Sequence, residues 1–304
     1  MRFIDRFFYK PSFFQKILAI LLLPLSLLYL IASTLRRKLS IFRDFGIPII
    51  SVGNLVAGGS GKTPFIIESA KDYKDVAIIL RGYKRKSKGL VIVSLRGNIL
   101  VSQEDAGDEA YLIALRLKNA SVIVCKKRDL AIKKAKEIGC KVVFLDDGFR
   151  FHYKKLNIIL KPKLQPYFNF CIPSGIYREN PKLYQKADIL VCEGEEYTRE
   201  VTILQPTPRM LLVTAIANPS RLDQFLPKIV GKITLPDHSN FDKNLLEKKL
   251  KEYDATSLLV TQKDMVKMQD FNLPLSILEL KLNIKPQVTQ KIQDYIHTLG
   301  YNPS

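Results

Sequence analysis

Residues 51–63 read SVGNLVAGGSGKT, a glycine-rich run that ends in Gly-Lys-Thr. The apolar run before it, at residues 47–52, predicts a buried strand, and residues 65–73 predict a helix. A strand, a glycine-rich loop and a helix form the layout of a phosphate-binding loop. The backbone N–H groups of such a loop and the N-terminus of its helix attract anions. The stretch therefore predicts a nucleotide site.

Each residue type in this loop has a physical role in such a site. Glycines allow the backbone to curl around phosphate oxygens. Lys62 is placed to reach the β- and γ-phosphates, and the hydroxyl of Thr63 to bind Mg²⁺. Val56 replaces the usual first glycine, so an incidental turn stays the alternative interpretation of this stretch taken alone. The residues expected to contact the nucleotide are Gly58, Gly59, Ser60, Gly61, Lys62 and Thr63.

The composition indicates a folded, strongly basic protein. The 304 residues are 47% hydrophobic and carry a formal net charge of +19, from 48 Lys and Arg against 29 Asp and Glu. Such an excess favours an anionic partner, although a lysine-rich coding bias is an alternative source of it. Since no basic segment interleaved with aromatics, zinc pattern or recognition helix is present, we do not expect nucleic acid as the partner. Four scattered cysteines without a CxxC pattern indicate buried thiols in a reducing compartment.

The N-terminal segment contains a long uncharged stretch. Residues 17–35 form 19 consecutive uncharged positions, flanked on both sides by basic residues. As a helix they would extend roughly 28 Å, close to the thickness of a bilayer core. A cleaved signal peptide is not expected, because no small-residue cleavage site follows. A spanning helix, a helix lying in or dipping into the membrane, and a buried helix of the fold remain open, and we expect membrane association.

Strand-like and helix-like segments alternate along the rest of the chain. This alternation predicts an α/β fold of parallel sheets with helices on both faces. Pro206 and Pro208 indicate a boundary. We therefore expect a membrane-associated helix at residues 1–38, a nucleotide-binding domain at residues 39–208 and a smaller C-terminal α/β domain at residues 209–304.

Charged residues follow several of the predicted strands. An apolar strand at residues 141–145 delivers Asp146 and Asp147, which suits a Mg²⁺ site opposite the phosphate-binding loop. Asp108 precedes a periodic helix, and taken alone it reads as a helix cap. Five basic residues lie within residues 81–88, at the end of another strand, where open α/β sheets bind ligands.

Seven short segments together resemble one enzyme family, the tetraacyldisaccharide 4'-kinases, which are the lipid A 4'-kinases of Gram-negative bacteria. The resemblance runs from the N-terminus to about residue 264, and the unusual first position at Val56 recurs in that family. The segments are VGNLVAGGSGKTP, LRGY, GDE, FLDDGF, PSGIYRE, PDH and TQKD. The chain departs from the family pattern at Lys84, Arg150, Phe151, Ser239 and Gln262.

The resemblance implies a P-loop kinase. It would transfer the γ-phosphate of ATP to the 4'-hydroxyl of a tetraacyldisaccharide 1-phosphate, at the anionic cytoplasmic face of the inner membrane. The implied catalytic residues are Asp108, His238 and Lys62. Those implied in binding Mg²⁺ are Thr63, Asp146, Asp147 and Glu179. Arg81 and Arg178 are expected to bind substrate or to offset charge on the phosphoryl group.

Two mechanistic expectations follow from the resemblance. Asp108 would accept the proton of the sugar hydroxyl, oriented by His238, and the placement of these residues on two domains would make catalysis depend on closure. The rival interpretation is a P-loop switch or motor ATPase that acts on a membrane partner. No Asn-Lys-x-Asp motif is present, which argues against a GTPase.

Overall fold

The structure, a computed structural model, describes residues 3–58, 61–216, 218–237 and 239–301. The chain forms two compact units that interleave along the sequence. The first consists of Met1–Ile79, Ile132–Thr198 and Ile284–Ser304, and the second of Leu80–Ala131 and Arg199–Asn283. The domain boundaries expected after residues 38 and 208 stay predictions.

The secondary structure alternates between helices and strands. Ten α-helices lie within the described residues: α1 (Phe3–Tyr9), α2 (Phe13–Leu21), α3 (Leu23–Lys38), α4 (Lys62–Ala70), α5 (Gln103–Ala106), α6 (Asp108–Arg116), α7 (Arg128–Glu137), α8 (Lys243–Glu252), α9 (Gln262–Met265) and α10 (Pro286–Thr298). Short 3-10 helices cover Pro181–Lys186, Pro219–Phe225 and Val266–Phe271. The described part of the chain contains these strands: β1 (Ile49–Asn54), β2 (Val76–Leu80), β3 (Val91–Leu95), β4 (Asn98–Ile99), β5 (Ser121–Val124), β6 (Val142–Asp146), β7 (Leu156–Lys161), β8 (Ile189–Cys192), β9 (Tyr197–Leu204), β10 (Met210–Thr214), β11 (Gly231–Thr234), β12 (Ser257–Thr261) and β13 (Leu275–Ile284).

Parallel strands form the core of the first unit. They follow the order β2-β6-β1-β7-β8, and each pairs with its neighbours in parallel. Every residue of β1, β2 and β6 is buried, which explains why these strands read as continuous apolar runs. The carboxyl ends of parallel strands meet at one edge of a sheet, so the residues that follow β1 and β6 share that edge.

The second unit has its own five-stranded sheet, in the order β11-β10-β12-β13-β9. Its pairs β11–β10, β10–β12 and β12–β13 are parallel. A hydrophobic core covers this sheet and includes Leu211, Val213, Leu258, Val260 and Met268. The predicted α/β fold with a large parallel sheet is therefore confirmed.

The strand β3 differs from the all-parallel expectation, since it pairs antiparallel with both β4 and β5. Arg96 and Gly97, with φ of 47° and 85°, join β3 to β4 in a tight turn, and a connection this short allows only antiparallel pairing. A Cβ at Gly97 would lie 1.7 Å from the carbonyl oxygen of Lys118, so only glycine fits this turn.

The uncharged N-terminal stretch forms two helices, α2 and α3, instead of one. They meet at Leu22 with a bend of 52°. Pro24, in the first turn of α3, lacks an N–H group and its ring would clash with a continuous helix, which explains the break. Among the described residues, no single helix meets the length and apolarity needed to cross a membrane. The bent pair meets them together, by length and composition only.

Candidate functional site

The phosphate-binding loop leaves β1 at Asn54 and enters α4 at Lys62. Gly61 caps this helix with φ of 81°, a left-handed conformation that glycine adopts without strain. The helix therefore begins at Lys62, three residues before the predicted start. Lys62 and Thr63 thus lie in the first turn, where N–H groups lack helical partners and attract anions. Gly59 and Ser60 lie outside the described residues.

The amine of Lys62 lies between two oxygen atoms at the sheet edge. It donates to Asn54 Oδ1 at 3.4 Å and lies 3.7 Å from Asp147 Oδ1. Its side chain is only 15% exposed. A lysine held in this way is oriented before any nucleotide binds, which limits the entropy lost when it contacts phosphate.

Asp147 forms a two-pronged ion pair with Arg178. Arg178 Nη1 donates to Asp147 Oδ2 at 2.9 Å, and Nη2 donates to Oδ1 at 3.1 Å. Burial raises the pKa of Asp147, but Lys62 and Arg178 lower it by more, so the pKa lies below its usual range. Asp147 has φ of 55°, and its N–H donates to the carbonyl of Val52 in β1. The carboxylate is therefore ionised and fixed from both sides.

Asn54 connects these groups and was not predicted from the sequence. Its side-chain amide donates to the carbonyl of Val56 at 2.8 Å, which holds the first part of the loop. Its Oδ1 accepts from Lys62 and from Arg178 Nη2, which also donates to the Asn54 carbonyl at 3.3 Å. The motif VGN contains this asparagine, but no local pattern indicates that its side chain joins Lys62 to Arg178.

Asp146 lies at the end of β6, buried and opposite Val52 of β1 in the parallel register. It therefore shares the carboxyl edge of the sheet with the phosphate-binding loop. A carboxylate and the Thr63 hydroxyl are hard oxygen donors, and Mg²⁺ binds through one or two carboxylates together with substrate phosphates. These two residues therefore fit a magnesium ion. In the described part of the chain, no three His, Cys, Asp or Glu side chains gather into a metal-binding group.

Glu179 follows Arg178 and is half-buried beside several cations. Burial raises the pKa of Glu179, against the lowering influence of Arg37, Arg150 and Arg178. The hydroxyl of Tyr29 in α3 donates to the carbonyl of Arg178 at 3.1 Å. The N-terminal helix thus contacts the segment that carries Arg178 and Glu179.

Asp108 lies in the second unit, at the first position of α6. Its Oδ2 lies 3.0 Å from the amine of Lys267, and its Oδ1 accepts from Gln103 Nε2 at 2.5 Å. Lys267 is only 5% exposed, and its amine also donates to the carbonyl of Ser239 at 3.0 Å. The predicted base is therefore linked through a buried lysine to the neighbour of His238. His238 itself lies outside the described residues.

Lys267 has no sequence pattern that marks it, because it is one of many lysines in the C-terminal part of the chain. The structure does explain the role of the TQKD segment that precedes Lys267. Asp264 is buried and accepts hydrogen bonds from the hydroxyls of Thr214 and Thr261 and from the N–H of Ala215. These bonds fix the start of the helical segment that carries Lys267.

Arg81 and Lys84, which the sequence also singled out, lie on a loop of the second unit. Arg81 donates to the Tyr83 hydroxyl at 3.0 Å and lies over its ring. Lys84 donates to the carbonyl of Asp237 at 3.5 Å, and Lys263 lies 3.5 Å from Asp237 Oδ1. The structure thus brings Lys62, Asp147 and Arg178 together in the first unit. It places Asp108 and Arg81 in the second.

Replacing Arg178 by lysine should lower the rate of the phosphotransfer expected from the sequence about tenfold to hundredfold. Lysine keeps the charge but cannot form the paired bonds to Asp147, and each bond to a charged group contributes roughly 1.5–3 kcal/mol. The measurement is kcat with ATP and the lipid acceptor that the resemblance implies, alongside the thermal midpoint. Arg209→Lys is the matched control, because Arg209 donates to the backbone carbonyls of Tyr253 and Asp254. An equal effect of the two changes would contradict a specific role for Arg178.

Comparison with known proteins places the chain beside one family of kinases. The family model described as tetraacyldisaccharide-1-P 4'-kinase matches residues 18–298. The chain is 58% identical over 301 residues to the tetraacyldisaccharide 4'-kinase of Helicobacter pylori, covering 99% of this chain and 96% of that protein. It is 47% identical to the tetraacyldisaccharide 4'-kinase of Aliarcobacter butzleri, covering 97% of each. It also matches the crystal structure of LpxK from Aquifex aeolicus in complex with ATP, with a TM-score of 0.77, 29% identity, and coverage of 93% of this chain and 100% of that one.

Proposed function

Because the chain belongs to the tetraacyldisaccharide-1-P 4'-kinase family, we propose that it transfers the γ-phosphate of ATP to the 4'-hydroxyl of a tetraacyldisaccharide 1-phosphate. It is an ATP-dependent lipid kinase of lipid A biosynthesis. The observation that carries this conclusion is the cluster of Lys62, Asp147, Arg178 and Asn54 behind a glycine-capped helix. This cluster suits binding of a nucleoside triphosphate, and the family identifies the acceptor.

The first unit holds and polarises the phosphates of ATP. The N–H groups of the first turn of α4 bind phosphate oxygens, and Lys62 offsets charge on the γ-phosphate. Asp147 and Asn54 keep the Lys62 amine in place, while Arg178 keeps Asp147 in place. Thr63 and Asp146 would hold Mg²⁺, with Asp147 and Glu179 as further predicted ligands. A bound Mg²⁺ neutralises phosphate charge in such reactions.

The second unit supplies the base. Asp108 accepts the proton of the 4'-hydroxyl, and His238 is its predicted partner. Lys267 keeps the Asp108 carboxylate oriented and ties it to the backbone beside His238. Arg81 is proposed to bind the lipid substrate. Positioning and electrostatic stabilisation contribute most of the catalysis in phosphoryl transfer, which explains why these groups are held by ion pairs.

The N-terminal helices provide a surface for a membrane that carries the acceptor. Large apolar side chains of α2 and α3 are exposed, and basic residues end α3. Such a surface buries its apolar residues among lipid chains and attracts anionic headgroups. ATP is available in the cytoplasm, so we propose the cytoplasmic face of the inner membrane. The exposed side chains are Phe13, Phe14, Ile17, Leu18, Ile20, Leu21, Leu25, Leu27, Leu28, Ile31 and Leu35.

Replacing Phe14 and Leu21 together by serine should weaken binding to anionic vesicles about a hundredfold. These side chains are 80% and 71% exposed, and each large apolar side chain transferred from water contributes roughly 1.5–3 kcal/mol. Co-sedimentation with vesicles measures the change. The matched control replaces Leu100 and Leu245, which are exposed in the second unit. If the control pair weakens binding equally, the N-terminal helices are not the membrane surface.

The proposed reaction is tested with γ-labelled ATP and purified tetraacyldisaccharide 1-phosphate. The expected products are ADP and an equal amount of labelled lipid, with little free phosphate. If ATP is hydrolysed to free phosphate while the lipid stays unlabelled, the protein is an ATPase of the switch or motor class. If the lipid is labelled, chemical analysis should locate the new phosphate at its 4' position.

A further inference from the structure

A cavity of about 390 Å³ in the first unit lies beside the end of α3 and the segment that follows Asp147. Its walls are cationic and aromatic, and none of the lining residues in the described part of the chain is Asp or Glu. The cations are Arg37, Lys38, Arg150, Lys155 and Lys186. The other lining residues are Phe149, Phe151, His152, Tyr153 and Asn157. The catalytic roles proposed above use none of these ten side chains.

Arg37 lines this cavity, and one nitrogen of its guanidinium lacks a hydrogen-bond acceptor among the described residues. Its guanidinium packs over the ring of Phe149, with its central carbon 4.2 Å from the ring centre. Its Nη1 is buried and has no hydrogen-bond partner within the described residues. Glu179 is the carboxylate whose charge acts on Arg37. A buried N–H group of a charged side chain without an acceptor is unfavourable, so an anion in the cavity would stabilise this arrangement.

Lys155 adds a second cation at the same wall. Its amine donates to the carbonyls of Phe149 and Phe151, and these bonds aim it at the segment that carries Arg150. Burial, together with the charge of Arg37, lowers the pKa of Lys155 to about 7, although Asp188 acts in the opposite direction. Arg37, Arg150 and Lys155 thus bring cationic groups to one cavity, and an anionic ligand would offset the repulsion between Arg37 and Lys155.

We propose that this cavity binds a phosphate group carried by a lipid. Phosphate offers several acceptor oxygens and matches the planar donors of Arg37 and Arg150. The cavity also has room for part of the sugar or glycerol attached to it, beside aromatic side chains. It lies at the end of α3, whose exposed apolar face we assign to the membrane. The phosphate belongs either to the acceptor, at its 1-position, or to a bilayer phospholipid. The first source rests on the proposed function.

The test compares a double variant, which carries both Arg37→Gln and Arg150→Gln, with a matched control. The control pair is Arg36→Gln with Lys251→Gln, which removes the same charge from two exposed positions, one of them at the same end of α3 but outside the cavity lining. One arm measures equilibrium binding of the acceptor lipid, with and without its 1-phosphate, in neutral detergent micelles. The other measures binding to phosphatidylglycerol and to phosphatidylcholine vesicles. Neither arm requires turnover, so a failure of the proposed kinase reaction is seen separately in the labelled-ATP assay.

We expect the double variant to lose about tenfold or more in affinity in one arm. A loss confined to the acceptor with its 1-phosphate identifies the acceptor as the source, and a loss confined to phosphatidylglycerol vesicles identifies the bilayer. Unchanged affinity in both arms, relative to the control pair, overturns the proposal. If thermal melting shows that the double variant is unfolded, Lys38→Gln with Lys186→Gln removes two exposed cations from the rim and is read in the same way.

Discussion

Replacing Lys62 by methionine should lower the kcat of phosphotransfer to the lipid acceptor by about 10³-fold. Methionine keeps much of the length and apolar stem of lysine but carries no charge for the γ-phosphate. The partners Asn54 and Asp147 would still be held by Arg178, so the loop should keep its conformation. The measurement is the initial rate of lipid labelling from γ-labelled ATP at saturating substrates.

The control for this change lies on the same helix. Lys71, at the end of α4, pairs with Glu68 at 2.5 Å and faces solvent, so Lys71→Met removes the same charge away from the phosphates. It should leave kcat within about twofold, because exposed ion pairs contribute little. A Lys62→Met enzyme that retains most of its activity would show that the loop does not bind the transferred phosphate.

The second large effect is expected at Asp108. Asp108→Asn should lower kcat by about 10²–10⁴-fold, because an amide cannot accept the proton of the sugar hydroxyl. The affinity for ATP should change little, since the phosphate-binding loop is untouched. Asp105→Asn, in the helix α5 just before it, is the matched control. Comparable losses at Asp105 and Asp108 would exclude Asp108 as the specific base.

Lys267 allows the role of Asp108 to be separated from a purely structural one. If Lys267 acts by orienting the Asp108 carboxylate, Lys267→Met should lower kcat in the wild-type chain and have much less effect when Asp108 is already asparagine. If its role is only to support the fold, the two losses should be independent and the thermal midpoint should fall in both backgrounds. The double-mutant cycle on kcat, measured with melting curves, distinguishes the two cases.

The parts of the site that could be predicted from the sequence are those formed by consecutive residues. A strand, a glycine loop and the Lys62-Thr63 pair are local features, because backbone conformation and helix-end chemistry depend on near neighbours. The same holds for the Asp pair at the end of β6. The lipid acceptor could be predicted only from the ordered set of motifs that resembles the family, because composition and periodicity identify no substrate.

The sequence accounts for only part of the break in the N-terminal helix. Pro24 explains why the uncharged stretch is interrupted, but the 52° bend at Leu22 depends on how α3 packs. Ser26 accepts a hydrogen bond from the N–H of Ser174, and Tyr29 donates to Arg178. These contacts join positions about 150 residues apart in the sequence, so no local pattern encodes them.

The sequence alone therefore determined the α/β fold, the nucleotide loop and the family, because each depends on local patterns in a known order. Tertiary structure decided which side chains meet: Asn54 with Lys62 and Arg178, Lys267 with Asp108, and Arg37 with Phe149. The physical reason is that hydrogen bonds and ion pairs act over a few ångströms in space. Residues far apart in the chain come within that distance only after strands and helices have packed.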